Sequence, residues 1–303
     1  MSNIIELDHI TKSFGNSVVV RDLSLNVPKG SIYGFIGPNG SGKTTTIRMI
    51  MDILYPDSGV IRIFNNVQTG IHLDRIGYLP EERGLYKKMK TKELIRFYCE
   101  LKRVTDPSRE ADHWLAKFDL AASANKKVEA LSKGMSQKVQ FIITVINKPD
   151  IIILDEPFSG LDPVNADIIK EAILELRKSG STILFSTHDM AVAEKMCDFI
   201  FMIYKGEKVL DGTLESIRKK FGEDTIRIQT EAGMNGLRDI GGISNINDFG
   251  QVQEIRILPE TDDMLILKEI MSRTRIKKFE ISSPSLNDIF IRIAKPDKTN
   301  NHE

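Results

Sequence analysis

The sequence predicts an α/β fold with an open parallel sheet, and three observations carry that prediction. A Gly-rich loop, GPNGSGKT, lies between the apolar run at Ile32, Tyr33, Phe35 and Ile36 and the helical run TTIRMIMDIL. A continuous β-branched run, Ile151–Ile152–Ile153–Leu154, ends in Asp155 and Glu156, as expected for a central strand covered on both faces. A further run, TILFST, ends at His188. All three place glycine, carboxylate or imidazole at the C-terminal end of a strand, the edge where open α/β sheets bind ligands.

The loop reads as a nucleotide phosphate cradle. Its spacing, G-x-x-x-x-G-K-[ST], gives each residue a task. Gly37, Gly40 and Gly42 allow turns that a Cβ forbids, so that successive N–H groups, including those of Asn39, Gly40 and Ser41 after Pro38, converge on phosphate oxygens. Lys43 faces the β- and γ-phosphates, Thr44 offers a hydroxyl to Mg²⁺, and Thr45 opens the helix whose positive end faces the same anion.

From Gly84 to Leu131 the pattern turns helical. Leu94, Phe97, Tyr98 and Leu101 fall on one face, and Ala111, Trp114, Leu115 and Phe118 repeat the spacing, with Asp106–Pro107 starting the second helix. The aromatics here are expected to be core, and His113 a surface residue.

The strand ending at Asp155 resembles the Walker B element of P-loop ATPases, in which such an aspartate holds Mg²⁺. Glu156, one residue beyond, is placed to orient or deprotonate the attacking water. The next helix has its own start signals, Asp162 as N-cap and Pro163 at the first helical position, and Gly180 to end it. His188 at the same edge is a candidate to hydrogen-bond the γ-phosphate.

The core is expected to span residues 1–221, closing at the basic helix before Gly222, with a small α+β domain over 222–303. There TIRIQT, VQEIRIL, KKFEISS and NDIFIRIAK read as strands and DDMLILKEIMSR as a helix, followed by a polar tail, DKTNNHE.

Composition bounds the remaining possibilities. The 303 residues are 41% hydrophobic and 28% charged, which suits a soluble chain with a sizeable core. Lys plus Arg and Asp plus Glu both total 42, so no charge excess argues for a nucleic-acid partner. Cys99 and Cys197 lack metal-ligand spacing and read as buried or partly buried thiols of a reducing compartment. FIITVI and FIFMIY are too short to span a bilayer, and MSNIIELDHI lacks a signal-peptide pattern, so a cytoplasmic location is expected.

Taken with LSKGMSQKVQ (131–140), SGLDP (159–163) and STHD (186–189), these motifs resemble the ATPase subunit of ATP-binding cassette (ABC) transporters. The resemblance implies a P-loop ATPase core whose helical subdomain, about 84–145, receives a separate membrane permease. It implies a head-to-tail dimer with a second ATPase subunit around two Mg-ATP, and a place at the cytoplasmic face of the membrane. By the same resemblance, Ser132 and Gly134 of the signature meet the γ-phosphate held by the opposite chain, while Lys133 and Met135 replace its usual glycine and glutamine. Asp162 communicates between the two sites, His188 is the switch histidine, and Phe14 stacks on adenine, an edge or core aromatic being the alternative. Glu81, in IGYLPEERGLY, stands where most relatives have a glutamine that contacts Mg²⁺ and water; otherwise Glu81 and Glu82 are solvated and pair with Arg83. SPSLNDIFI resembles the C-terminal extension of ATPases that serve drug, sodium or related exporters. A soluble cassette acting as a scaffold in cofactor assembly is the second reading. A nucleotide sensor without hydrolysis is the third, against which Lys43, Asp155, Glu156 and His188 all count.

Overall fold

The computed structural model describes residues 2–67, 73–82, 84–221, 225–258 and 261–294. The chain divides into two compact units, Met1–Thr213 and Leu214–Glu303.

The first unit begins with β1 (Asn3–Phe14), β2 (Ser17–Pro28), β3 (Ile32–Ile36) and α1 (Lys43–Ile50). It continues through β4 (Ser58–Ile63), β5 (Asn66–Val67), β6 (Ile76–Leu79), α2 (Thr91–Leu101), α3 (Pro107–Lys117) and α4 (Lys133–Val145). It closes with β7 (Ile151–Asp155), α5 (Pro163–Lys178), β8 (Thr182–Thr187), α6 (Met190–Met196), β9 (Phe199–Tyr204) and β10 (Glu207–Gly212). Two sheets result, an antiparallel one ordered β2-β1-β4-β5 and a six-stranded one ordered β10-β9-β3-β8-β7-β6. In the larger sheet every pairing is parallel except β10 on β9.

The β-branched run at 151–154 is apolar throughout because it separates two cores. Ile152 and Leu154 pack with Ile183, Phe185 and the helices α2 to α5 on one side. Ile151 and Ile153 pack with Leu184, Phe35 and α1 on the other, under the antiparallel sheet. Side chains alternate across a strand, so a strand covered on both faces cannot alternate in polarity.

The helical insert differs from expectation in one face. Leu94 is buried, but its companions are Ile95 and Cys99; Phe97 and Leu101 are exposed, Leu101 by 64%. The four-residue apolar pattern was therefore a stripe broader than the contact, and the core took the edge carrying the β-branched side chain. In α3 the expected face is buried, and Phe118 lies between Trp114, tilted at 5.6 Å, and Phe141, stacked at 5.7 Å between ring centres. Asp106 caps this helix by accepting from Arg109 N, and His113 is exposed. Phe118→Ala should cost about 3–5 kcal/mol, the usual penalty for emptying a buried aromatic site. Urea denaturation followed by the fluorescence of Trp114, the sole tryptophan, reads this directly; a loss under about 1 kcal/mol would mean that the insert collapses onto the gap.

The second unit comprises α7 (Leu214–Phe221), β11 (Thr225–Thr230), β12 (Ile243–Asp248), β13 (Gln253–Ile257), α8 (Asp263–Arg273), β14 (Ile276–Ser282) and α9 (Leu286–Ala294). Its antiparallel sheet is ordered β12-β13-β11-β14 and packs Ile226, Ile228 and Ile255 against Ile266 and Ile270 of α8. Two expectations need correction. The basic helix α7 clusters with this unit and not with the core, and within it Arg218 Nε donates to Pro284 O and Arg292 Nη1 to Phe221 O. Gly222 itself, like Arg83 and the polar tail, lies outside the described residues. NDIFIRIAK was expected as a strand, but its described residues, 287–294, lie in helix α9: Ser285 and Asp288 bond each other's backbone N–H as a reciprocal cap, and Leu286 and Ile289 are buried at helical spacing. β-branched residues suggested a strand, but the cap and the three-residue spacing decided.

Candidate active site

The glycines of the loop are required by what surrounds them. At Gly37 (φ +157°) a Cβ would lie 2.2 Å from Ile203 O, and at Gly42 (φ +110°) it would lie 2.9 Å from Val19 O. Gly42 precedes α1, whose first residue, Lys43, turns its Nζ back to Gly37 O at 2.8 Å and Pro38 O at 3.1 Å. The loop is pinned by Ser41 N donating to Pro38 O, Gly206 N to Ser41 O, and Thr46 Oγ1 to Gly42 O. Burial holds the Lys43 ammonium below the ordinary lysine pKa, and the carboxylates Glu156, Asp155 and Glu81 act in the opposite sense.

A cavity of about 210 Å³ opens beside this loop, lined by Asn39, Gly40, Gly42, Lys43, Thr44 and Thr45 together with Val19, Glu81 and Glu156. Glu81, two residues beyond β6, thus reaches the same space as the loop lysine. The parallel register then sets the floor. Asp155 pairs with Ser186 across β7 and β8, and the Ser186 hydroxyl donates to Asp155 Oδ1. Asp155 is 1% exposed, and among the described residues its Oδ2 has no hydrogen-bond partner. A buried carboxylate oxygen left without a donor is costly unless a cation completes it, so the residues present fit a metal here.

Glu156 adopts a left-handed backbone, φ +51°, held by its N–H on the Ser186 carbonyl and hydroxyl, each at 3.2 Å. Its side chain is nearly buried, and Oε1 lies 2.9 Å from His188 Nδ1. The strand ends therefore bring together the loop, Asp155, Glu156 and His188, with Glu81 at the rim. Tyr78, beside Asp155, has its phenol pKa pushed up to about 12, chiefly by burial.

Other predicted residues stand apart from this cluster. Phe14 is 49% exposed where β1 turns into β2, with Lys12 Nζ 5.7 Å from its ring centre, so it is not a core residue. Val19, farther along the same hairpin, lines the cavity. Ser132 is exposed and caps α4 by accepting from Met135 N at 3.2 Å. Gly134 follows in the first turn, close to Asn165 and Leu161, and the Lys133 side chain lies over Gly160. Asp162 caps α5 through Asn165 N. Signature and SGLDP segments are thus neighbours within one chain.

Three supporting residues carried no role in the sequence reading. Ser186 orients the Asp155 carboxylate and anchors the Glu156 backbone N–H. Gln137 Nε2 donates to Pro157 O and Gln140 Nε2 to Glu82 O, tying α4 to the backbone beside Glu156 and beside Glu81. Their signal was present, since two glutamines three apart on the buried part of a helix need partners.

The description "ABC transporter" matches residues 20–159, and that of the DrrA1-3-like ATP-binding protein C-terminal domain matches residues 212–294. The chain is 40% identical over 291 residues, 95% of its own length and 97% of the other's, to the ABC transporter ATP-binding protein YhaQ of Bacillus subtilis. This chain belongs to the ABC transporter ATP-binding proteins. It is also 34% identical to the Nod factor export ATP-binding protein I of Burkholderia lata, over 74% of this chain and 76% of that one. A solved ATP-binding subunit of an ABC transporter superimposes with a TM-score of 0.68 at 30% identity, covering 72% of this chain and 93% of that one. The P-loop ATPase fold and the C-terminal extension are those of this family. As a member, the chain binds ATP and is an ATPase coupled to transport, a subunit that works with separate permease components. Among the described residues no helix is long and apolar enough to cross a membrane.

Proposed function

We propose that this chain powers export through a separate permease at the cytoplasmic face of the membrane, as one half of a head-to-tail dimer of ATPase subunits. The observation that carries the chemistry is a nearly buried Glu156, fixed on His188, next to an Asp155 Oδ2 that has no hydrogen-bond partner among the described residues, both beside the Lys43 loop. Export rests on the likeness to an exporter's ATPase and on the extension. The cofactor-assembly scaffold is the weaker reading, because an ABC transporter ATP-binding protein matches 95% of the chain.

Lys43 and the N–H groups of the loop Gly37–Thr45, Pro38 apart, would hold the triphosphate, and Thr44 and Asp155 the metal, with Glu81 at its rim. Bound Mg²⁺ would supply positive charge to the β- and γ-phosphates. Glu156 Oε1 or Oε2 takes the proton of the attacking water, and His188 keeps that carboxylate aimed while offering its other ring nitrogen towards the γ-phosphate. Phe14 would lie against adenine. Ser132, Gly134 and Asp162 of the opposite chain would close the site, leaving hydrolysis dependent on the pair.

Lys43→Ala tests the cradle. Charge-assisted hydrogen bonds contribute about 1.5–3 kcal/mol each, so ATP affinity by calorimetry should fall roughly 10- to 100-fold. Unchanged affinity would count against Lys43 as a phosphate ligand.

A further inference from the structure

Among the described residues the sheet of the second unit ends at β14, which pairs with β11 on one side only. An edge strand offers its unpaired N–H and C=O groups to another chain, and lysines are a common means of preventing this. On β14 the lysines do not act alone. Lys278 and Glu280 project from one face, both exposed, with Nζ 2.7 Å from Oε2. Across that face runs a row of alternating sign: Glu254 of β13 opposite Arg227 of β11, Nε to Oε1 2.7 Å, and Arg227 opposite Glu280. On the other face Phe279 packs partly buried on the unit's core, and Ile281 is 44% exposed.

We propose that β14 is an interface: it pairs antiparallel with β14 of a second copy of this chain, the two-fold axis passing through Phe279. The register follows from charge. Two edges joined into one sheet about a two-fold axis keep their faces, so a residue meets only residues that project from the same face. An axis through Lys278 would oppose Lys278 with the partner's Lys278, and one through Glu280 would oppose Glu280 with the partner's Glu280. Like charges directly opposite are destabilising. The axis through Phe279 alone among these three opposes Lys278 with the partner's Glu280, twice. It extends the row Glu254, Arg227, Glu280 by one more cation, the partner's Lys278. It also sets Phe279 against the partner's Phe279 and lays the stem of the partner's Lys277 over Ile281. No residue of the nucleotide site takes part, so the pairing needs no ATP and stands or falls apart from the head-to-tail dimer.

Sedimentation equilibrium of the nucleotide-free full chain tests it over about 1–100 μM, the range in which modest interfaces associate. The wild type should dimerise. K278E and E280K each place like charges opposite one another at two symmetric positions, and each should weaken association roughly 10-fold or more. An equimolar mixture of the two variants restores opposite charges at both positions and should recover the dimer. An unchanged far-UV circular dichroism spectrum and an unchanged pattern of limited proteolysis show that the second unit of each variant is folded; if E280K is lost through its neighbour Arg227, K278Q should still give a weakening of roughly 3-fold. A wild type monomeric throughout overturns the proposal, as do variants that associate like the wild type or a mixture no tighter than its components.

Discussion

Glu156→Gln should slow ATP hydrolysis roughly 10²- to 10⁴-fold, the usual contribution of a positioned general base, while leaving ATP binding intact. The two halves of this expectation come from different atoms. Binding depends on the loop and Lys43, which the substitution does not touch. The base is lost because an amide oxygen cannot take the proton of water at neutral pH, although glutamine keeps the length of the side chain and an acceptor for His188 Nδ1, now 2.9 Å from Glu156 Oε1. The left-handed backbone at Glu156 is fixed by its N–H on Ser186 and not by its carboxylate, so the local geometry survives. Nucleotide should therefore remain trapped, unhydrolysed, and a filter-binding assay with labelled ATP reads the trapping beside the rate. Hydrolysis at the wild-type rate would remove Glu156 from the chemistry, leaving Glu81 and His188 as the groups to test next.

Most of this site was legible because its parts are local in sequence. Gly37–Thr44 and Ile151–Glu156 each announce a strand end followed by polar groups, and the parallel pairing of β3, β8 and β7 then brings those ends together. Less legible were the contacts that cross the chain. Ser186 supports Asp155 only through the β7–β8 register, and Gln137 and Gln140 reach loops near 157 and 82 only once α4 is packed. The exposed face of α2 was misread because spacing sets which residues share a stripe, whereas tertiary contact sets which edge of it is buried. In α9 local propensity and capping disagreed, and the cap decided. The basic helix α7 was assigned to the core because it precedes Gly222, but its partners, Pro284 and Arg292, lie far downstream, where no local pattern could show them.

Ser132→Arg should abolish the ATP-dependent dimer and lower hydrolysis at least about 10³-fold, if α4 presents its N-terminus to the triphosphate of the opposite chain. The residue does two things that can be separated. Within its own chain the hydroxyl caps α4 through Met135 N, and losing a cap costs about 1 kcal/mol, too little to unfold a domain whose stability is typically about 5–15 kcal/mol. A single chain should therefore still bind ATP with wild-type affinity. Across the interface the exposed hydroxyl would be replaced by a guanidinium on a long stem, filling the space that the γ-phosphate must enter. Ser132→Ala removes the cap without adding bulk and provides the control: it should dimerise more weakly than wild type but measurably. Light scattering with Mg-ATP in a Glu156→Gln background, where the closed state accumulates, distinguishes these outcomes. If the dimer persists after Ser132→Arg, the signature helix does not face the opposite nucleotide, and the closeness of Lys133 to Gly160 and of Gly134 to Leu161 within one chain would have to serve that chain alone.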